Sequence, residues 1–271
     1  MHFFYFYALW LTIQFAFKAP GIMAEAGWEG LVRQYLVAYV EPWGTLWFIY
    51  HLALFLLVTR LLKDVPWLIV WVGAAALEIA HINTGSVLVD EFASRFVYFY
   101  TGYVFARHVF RLAEEATADR SIAITGLALW AVVHGVIVFA GYGDWPFISL
   151  ALGFAGALAI VTLATVLAQS AALPALRWLG EHSIVVYLAF FLPMAVSRAV
   201  LLKTGIITDI GTISVLVTLS GIAGSVLFYA FVQWTGWGKF LFERPLWAHI
   251  DRPTRRAKAP ADRPEAMVPA E

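Results

Sequence analysis

An all-α fold, a polytopic membrane protein with about eight transmembrane helices, is what this sequence predicts, on three observations. Apolar side chains make up 62% of the 271 residues and charged ones 13%, against roughly 25% charge in a soluble domain. The mean hydropathy is +0.78, and the apolar residues gather into eight runs. Most of these runs are long enough for a bilayer core of about 30 Å at about 1.5 Å per helical residue. Twelve Trp, eleven Tyr and twenty-one Phe suit aromatic belts at both membrane interfaces. Cysteine is absent, which removes disulfides, zinc–thiolate sites and thiol nucleophiles. Lys+Arg and Asp+Glu balance at 18 each, so there is no global field and nothing that points to nucleic acid.

The runs lie near 3–17, 43–62, 66–82, 92–110, 121–141, 146–169, 182–201 and 211–235. After the first comes 21–41, where Trp28, Leu31, Val32, Tyr35 and Tyr39 recur at helical spacing. Glu25, Glu29 and Arg33 occupy its other faces, so this stretch predicts an amphipathic helix lying on the membrane surface. The second run brings His51 one turn past the Trp47–Phe48 pair, and the third is short at its polar end because Glu78 and His81 fall inside it. The fourth is the polar one, read DEFASRFVYFYTGYVFARHVFR over 90–111. Glu91 precedes Arg95 by four residues, the favourable order for a helical ion pair, and Tyr98, Phe99 and Gly102 continue the stripe. A helix facing lipid alone needs neither the pair nor the gap, so this one is expected to face a polar cavity. Residues 1–236 read as one membrane domain. Residues 237–271 read as a polar tail rich in Pro and Arg, disordered from about 251. There is no internal repeat.

Loop cations set the orientation. On the side of the N-terminus lie Arg60, Lys63, Arg107, Arg111, Arg120, Arg177 and seven cations of the tail; on the other lie Lys18, Arg33, Arg95, Arg198 and Lys203. Thirteen against five places both termini in the cytoplasm, though without the tail the split is six to five. His51, Glu78, His81, Asp90, Glu91, Arg95, His134 and Asp144 then fall in the outer half or at the outer surface. Ionisable groups at that depth cost several kcal/mol unless paired or hydrated. Glu78 and His81, three apart, share a helix face. Either they are wetted at the interface or they line a cavity. In the second case Arg95, leading the next run, lies within contact distance of one of them, with Glu91 as its other possible partner. His134, alone on an apolar helix, reads most simply as a hydrogen-bonded packing residue, and His51 stays open. No GxxxxGK[ST], GxGxxG, HExxH or GxSxG pattern occurs, and no metal site is expected.

Four motifs resemble the membrane-bound acyltransferase 3 family. Residues 176–190, LRWLGEHSIVVYLAF, match its late-helix signature at Gly180, Ser183 and Tyr187, with Phe190 where the family has a His. Residues 42–50, PWGTLWFIY, match its helix entry at Leu46, Trp47 and Phe48. Residues 95–103 resemble its aromatic helix with Gly102 as the close-packing point, and 242–246, FERPL, its closing Glu-Arg-Pro. In purely local terms, Gly180 ends a turn and Ser183 with Glu181 can cap a helix start. The family's first span carries an Arg and, about eleven residues later, a His. Nothing here supplies that pair, so the resemblance predicts an N-terminally truncated member lacking the first two family spans.

The resemblance implies an integral membrane O-acyltransferase of the cell membrane, bacterial inner membrane in type. It would move an acyl group, commonly acetyl, from acyl-CoA to a hydroxyl of a glycan or other exported acceptor. No cofactor is bound in this scheme; acyl-CoA is the donor substrate, and the lipid bilayer and the hydroxyl acceptor are the other partners it implies. A His acts as general base and nearby donors hold the oxyanion. The catalytic candidates are Glu78, His81 and Arg95; the substrate-binding candidates are Trp47, His51, Asp90, Glu91, Tyr98 and His134. Arg107, Arg111, Arg60 and Lys63 are the cations available for the phosphates of acyl-CoA. The alternative is a non-catalytic membrane protein, either transporter-like or an inactive truncated remnant. A transporter predicts paired broken helices or repeat symmetry, and the sequence has neither.

Overall fold

The computed structural model describes residues 2–169 and 174–245. The tail expected to be disordered from about 251, and Leu246 of the closing motif, lie outside them. Among the described residues the chain is all-α, with eleven helices and no strand. They are α1 (His2–Val37), α2 (Trp47–Leu61), α3 (Trp67–Ile79), α4 (Val87–Val104), α5 (Ala106–Ala118) and α6 (Arg120–Phe139). They continue as α7 (Ile148–Ala168), α8 (Pro174–Glu181), α9 (Ser183–Ala189), α10 (Phe191–Thr204) and α11 (Ile210–Thr235).

Four of the predicted crossings have the length and apolarity to span a bilayer: α2 with the 3-10 turn before it, α6, α7 and α11. The seventh run is a bent pair, α9 and α10 meeting at 48°, and counts as a fifth crossing if the two form one span. The other three differ from the expectation of eight for separate reasons. α3 has 13 residues, about 20 Å, because Glu78 and His81 bring it to an end. α4 carries Asp90, Glu91 and Arg95 and stops at Val104 rather than 110. Phe105 there leaves helical geometry, and Arg107, His108 and Arg111 open a separate amphipathic helix, α5. α1 runs straight through Lys18 and Pro20 and breaks only at Gly27 (φ 65°, ψ −172°), a conformation glycine adopts at little cost. The surface helix expected from 21 therefore starts at Trp28, with Trp28 and Leu36 outward. Tyr35 instead turns toward α1, its hydroxyl 2.8 Å from that of Thr12.

Two buried clusters share α2. On one side Ile49 and Leu46 join Phe6, Tyr7, Trp10, Leu11, Leu188 and Ala189. On the other Phe55 joins Val70, Ala74, Ala75, Phe96, Val97, Tyr100 and Leu150. Lipid tails are as apolar as these side chains, so hydrophobic transfer adds little to helix association, and close packing with interhelical hydrogen bonds carries it. The Trp71 indole N–H donates to Thr101 Oγ1 at 2.9 Å, and that of Trp10 to the Leu241 carbonyl at 2.9 Å. Tyr187 donates to the Thr45 carbonyl at 2.6 Å and accepts from the Ile49 amide at 3.3 Å. It thereby ties α9 to the turn that starts α2.

Acids cap some of the helix starts. Asp209 accepts from the amide and hydroxyl of Thr212 at 2.6 and 2.7 Å, which holds its carboxyl below the usual carboxylate range. At α4 the cap comes from a distance. Glu41 accepts from the Val87 and Leu88 amides and from the Ser86 hydroxyl, satisfying donors that a helix start leaves free.

Candidate functional site

The last turn of α3 points Glu78 inward, 7% exposed, toward α4 and α7. Its Oε1 accepts the Tyr98 hydroxyl at 3.2 Å and the Ser149 hydroxyl at 3.0 Å. His81, three residues on, has left the helix with φ 46°, and its Nε2 stands 3.2 Å from Ser149 Oγ. On the other strand of chain reaching the site, Phe147 has φ 64°. Among the described residues His81 and Phe147 are the two non-glycines at positive φ, and they flank one contact. Such conformations cost on the order of 1–3 kcal/mol each, persist where the surroundings over-determine them, and gather at functional sites. Gly153 makes room: a Cβ there would lie 2.2 Å from the Tyr98 hydroxyl.

This cluster borders a cavity of about 650 Å³ between α6 and α7, lined by Trp130, His134, Asp144, Ser149, Gly153 and Gly156 among others. Trp130 Nε1, His134 Nδ1 and Glu78 Oε2 are all buried without a hydrogen-bond partner. An unsatisfied buried polar atom costs about 1–3 kcal/mol; Trp130 and His134 line the cavity and Glu78 adjoins it through Ser149, so polar groups there await a ligand. A second space of about 700 Å³, lined mainly by apolar side chains, lies between α5, α6 and α7, and Trp130 lines it too.

The other expected site residues do not all converge here. Arg95 is the clearest correction: its ion pair is with Glu91, and its guanidinium lies 4.7 Å over the Trp47 ring. Neither Glu78 nor His81 pairs with it. The carboxylate one turn back on the same helix is tethered close at little entropic cost, and the indole face adds a cation–π contact. Asp90 closes the loop before α4, accepting from Thr84 and Gly85. His51 is fully buried, with Nδ1 2.7 Å from the Trp47 carbonyl and Nε2 3.2 Å from the Leu88 carbonyl. A neutral imidazole has one N–H to donate, and with a carbonyl of α2 on one side and one of α4 on the other the ring sits between these helices, away from the cavity. Tyr98 and His134 do reach the site. Arg60, Lys63, Arg107 and Arg111 are solvent- or headgroup-exposed near the other end of α2 and along α5.

The model of one protein family, described as an acyltransferase domain, matches residues 1–230. The chain belongs to the acyltransferase 3 family. No curated protein and no solved structure matches it. Within this acyltransferase 3 domain, two of the resembling motifs meet, through Tyr187 against Thr45 and Ile49 and the Phe48 ring 5.9 Å from that of Tyr187. Gly102 is not the close-packing point; nothing lies within 4 Å of a Cβ built there. The tight glycines lie elsewhere, Gly153 against Tyr98 and Gly224 against Pro193 among them. Ser183 and Glu181 do not cap α9, since His182 stands at its start without a side-chain cap and Glu181 pairs with Arg177.

In this acyltransferase 3 domain the sequence pointed to Glu78 and His81 and missed Ser149, Trp130, Gly153 and Glu41. The tryptophan and the serine are ordinary residues of a membrane helix, and only the fold sets them beside Glu78. What the arrangement can do is proton transfer. A carboxyl and an imidazole reach one hydroxyl within hydrogen-bond distance, next to a space with room for a small ligand.

Proposed function

We propose that this membrane protein is an O-acyltransferase that moves an acyl group, acetyl by family expectation, from acyl-CoA to a hydroxyl of a glycan or other exported acceptor. The observation that carries the reading is the Glu78–Ser149–His81 contact bordering a cavity, within a chain of the acyltransferase 3 family. His81 serves as general base for the acceptor hydroxyl, and Glu78 holds and polarises the hydroxyls around it. Arg60, Lys63, Arg107 and Arg111 offer charge to the phosphates of acyl-CoA at the cytoplasmic face. No step calls for a bound cofactor. The test is release of free CoA from acetyl-CoA by the purified chain in proteoliposomes, with and without a glycan acceptor. Acceptor-dependent release, lost in His81→Gln, is the expected result; release equal to that of empty vesicles sinks the reading.

The arrangement in the membrane follows the loop cations: about eight crossings, with both termini on the cytoplasmic side of the cell membrane, the bacterial inner membrane in type. A reporter inserted near Gly143 is expected to read outside and one fused after Glu271 inside. Two reporters on the same side would overturn the crossing number by an odd count. The transporter alternative draws on one observation, the 48° bend between α9 and α10. Among the described residues it is the one broken span, and such a mechanism uses a symmetry-related pair.

A further inference from the structure

We infer that Ser149 carries the acyl group during transfer, so that the reaction runs in two half-steps through an acyl-serine; this rests on the acyl-transfer reading above. Serines and threonines in these helices mostly spend their hydroxyls on the carbonyl four residues back: Thr101, Thr162, Thr165, Ser214, Thr218 and Ser225 all do so. That is the structural role such residues have in membrane helices. Ser149 does not share it. The carbonyl four residues back, Trp145, accepts the Ser149 amide at 3.0 Å. The hydroxyl reaches another helix, 3.0 Å from Glu78 Oε1 and 3.2 Å from His81 Nε2. A hydroxyl nucleophile beside two proton acceptors is the arrangement that activates serine. Ser149 also lines the cavity whose wall holds the unpartnered Trp130 Nε1 and His134 Nδ1; the indole N–H is a free donor for a carbonyl oxygen that turns anionic. It occupies the first turn of α7, where the helix dipole favours developing negative charge.

The half-steps balance with an acyl thioester as donor. Ser149 Oγ bonds to the thioester carbonyl carbon as its proton passes to Glu78. The carbon–sulfur bond breaks, and the proton goes on to the leaving thiolate, which departs as the free thiol. In the second half an acceptor hydroxyl gives its proton to His81 as its oxygen attacks the same carbonyl. Ser149 Oγ leaves and takes that proton back from His81 Nε2.

The test uses the full chain in detergent with acetyl-CoA carrying a labelled acetyl group. Without acceptor, wild type is expected to hold the label on the peptide containing Ser149, resistant to neutral hydroxylamine as an oxygen ester is. Ser149→Cys is expected to hold it as a thioester, which neutral hydroxylamine strips. That change in lability reads the attachment atom directly and does not depend on Ser149→Ala folding. Ser149→Ala is expected to lose the label and at least 10²-fold of transfer. Transfer by Ser149→Ala at the wild-type rate, or wild-type transfer with no trapped label, overturns the acyl-serine and leaves the acyltransferase reading standing. A label on Ser149 that no hydroxyl acceptor removes supports the serine and sinks the acceptor reading. Neither label nor transfer overturns both.

Discussion

Glu78→Gln is expected to lower acyl transfer by about 10²–10⁴-fold, the range over which a positioned acid–base group contributes, with the fold intact. The amide oxygen of Gln can still accept the Tyr98 and Ser149 hydroxyls that now meet Oε1, so the contacts that hold α3 to α4 and α7 survive. What is lost is the group's capacity to take a proton. Initial rates with saturating acetyl-CoA, beside the thermal unfolding midpoint in the same detergent, separate the two. Unchanged rate and unchanged midpoint would mean that Glu78 is a wetted interfacial side chain with no part in the chemistry.

His81→Gly is expected to abolish transfer to a similar extent while leaving stability within about 1 kcal/mol of wild type. The sign follows from two opposing terms. Removing the imidazole forfeits one partly exposed hydrogen bond to Ser149, about 0.5–1.5 kcal/mol. At φ 46°, however, glycine relieves a left-handed conformation that costs a histidine about 1–2 kcal/mol. Glycine's larger unfolded-state entropy offsets part of that gain. His81→Gln lacks the relief and is expected to be the less stable of the two variants. A His81→Gly protein that unfolds well below wild type would show the backbone there to be held by the side chain; one that still transfers would remove His81 from the mechanism.

How much of this was legible in the sequence depends on what each residue had to announce itself. Glu78 and His81 stood out because ionisable groups inside an apolar run are costly, and that cost is readable without a fold. Arg95 was legible with one partner, Glu91 four residues before it, and that pair forms; the contact with Glu78 or His81 that a shared cavity would add does not. The break after Val104 was invisible because Phe105 is as apolar as its neighbours, and hydropathy carries no record of a backbone angle. The first run ends near 17 and a surface helix is expected from 21, yet the helix continues through Pro20 and breaks at Gly27, where φ 65° favours glycine. Ser149 had no signal at all. Its role comes from Glu78, 71 residues away in the chain, and the turn that brings them together is held partly by Phe147 at a positive φ no residue pattern predicts.

Trp130 belongs to both cavities, the polar one near Asp144 and the apolar one near Asp119. Trp130 is the lining residue that the two spaces have in common. A protein that serves reactants from opposite faces must do so without short-circuiting the ion gradient across its membrane. On the acyl-transfer reading proposed above, a side chain with two rotatable bonds would stand where the donor's side and the acceptor's side approach each other. On that reading Trp130→Ala is expected to raise proton leakage through proteoliposomes that carry the chain, and leakage equal to wild type would remove the ring from that role.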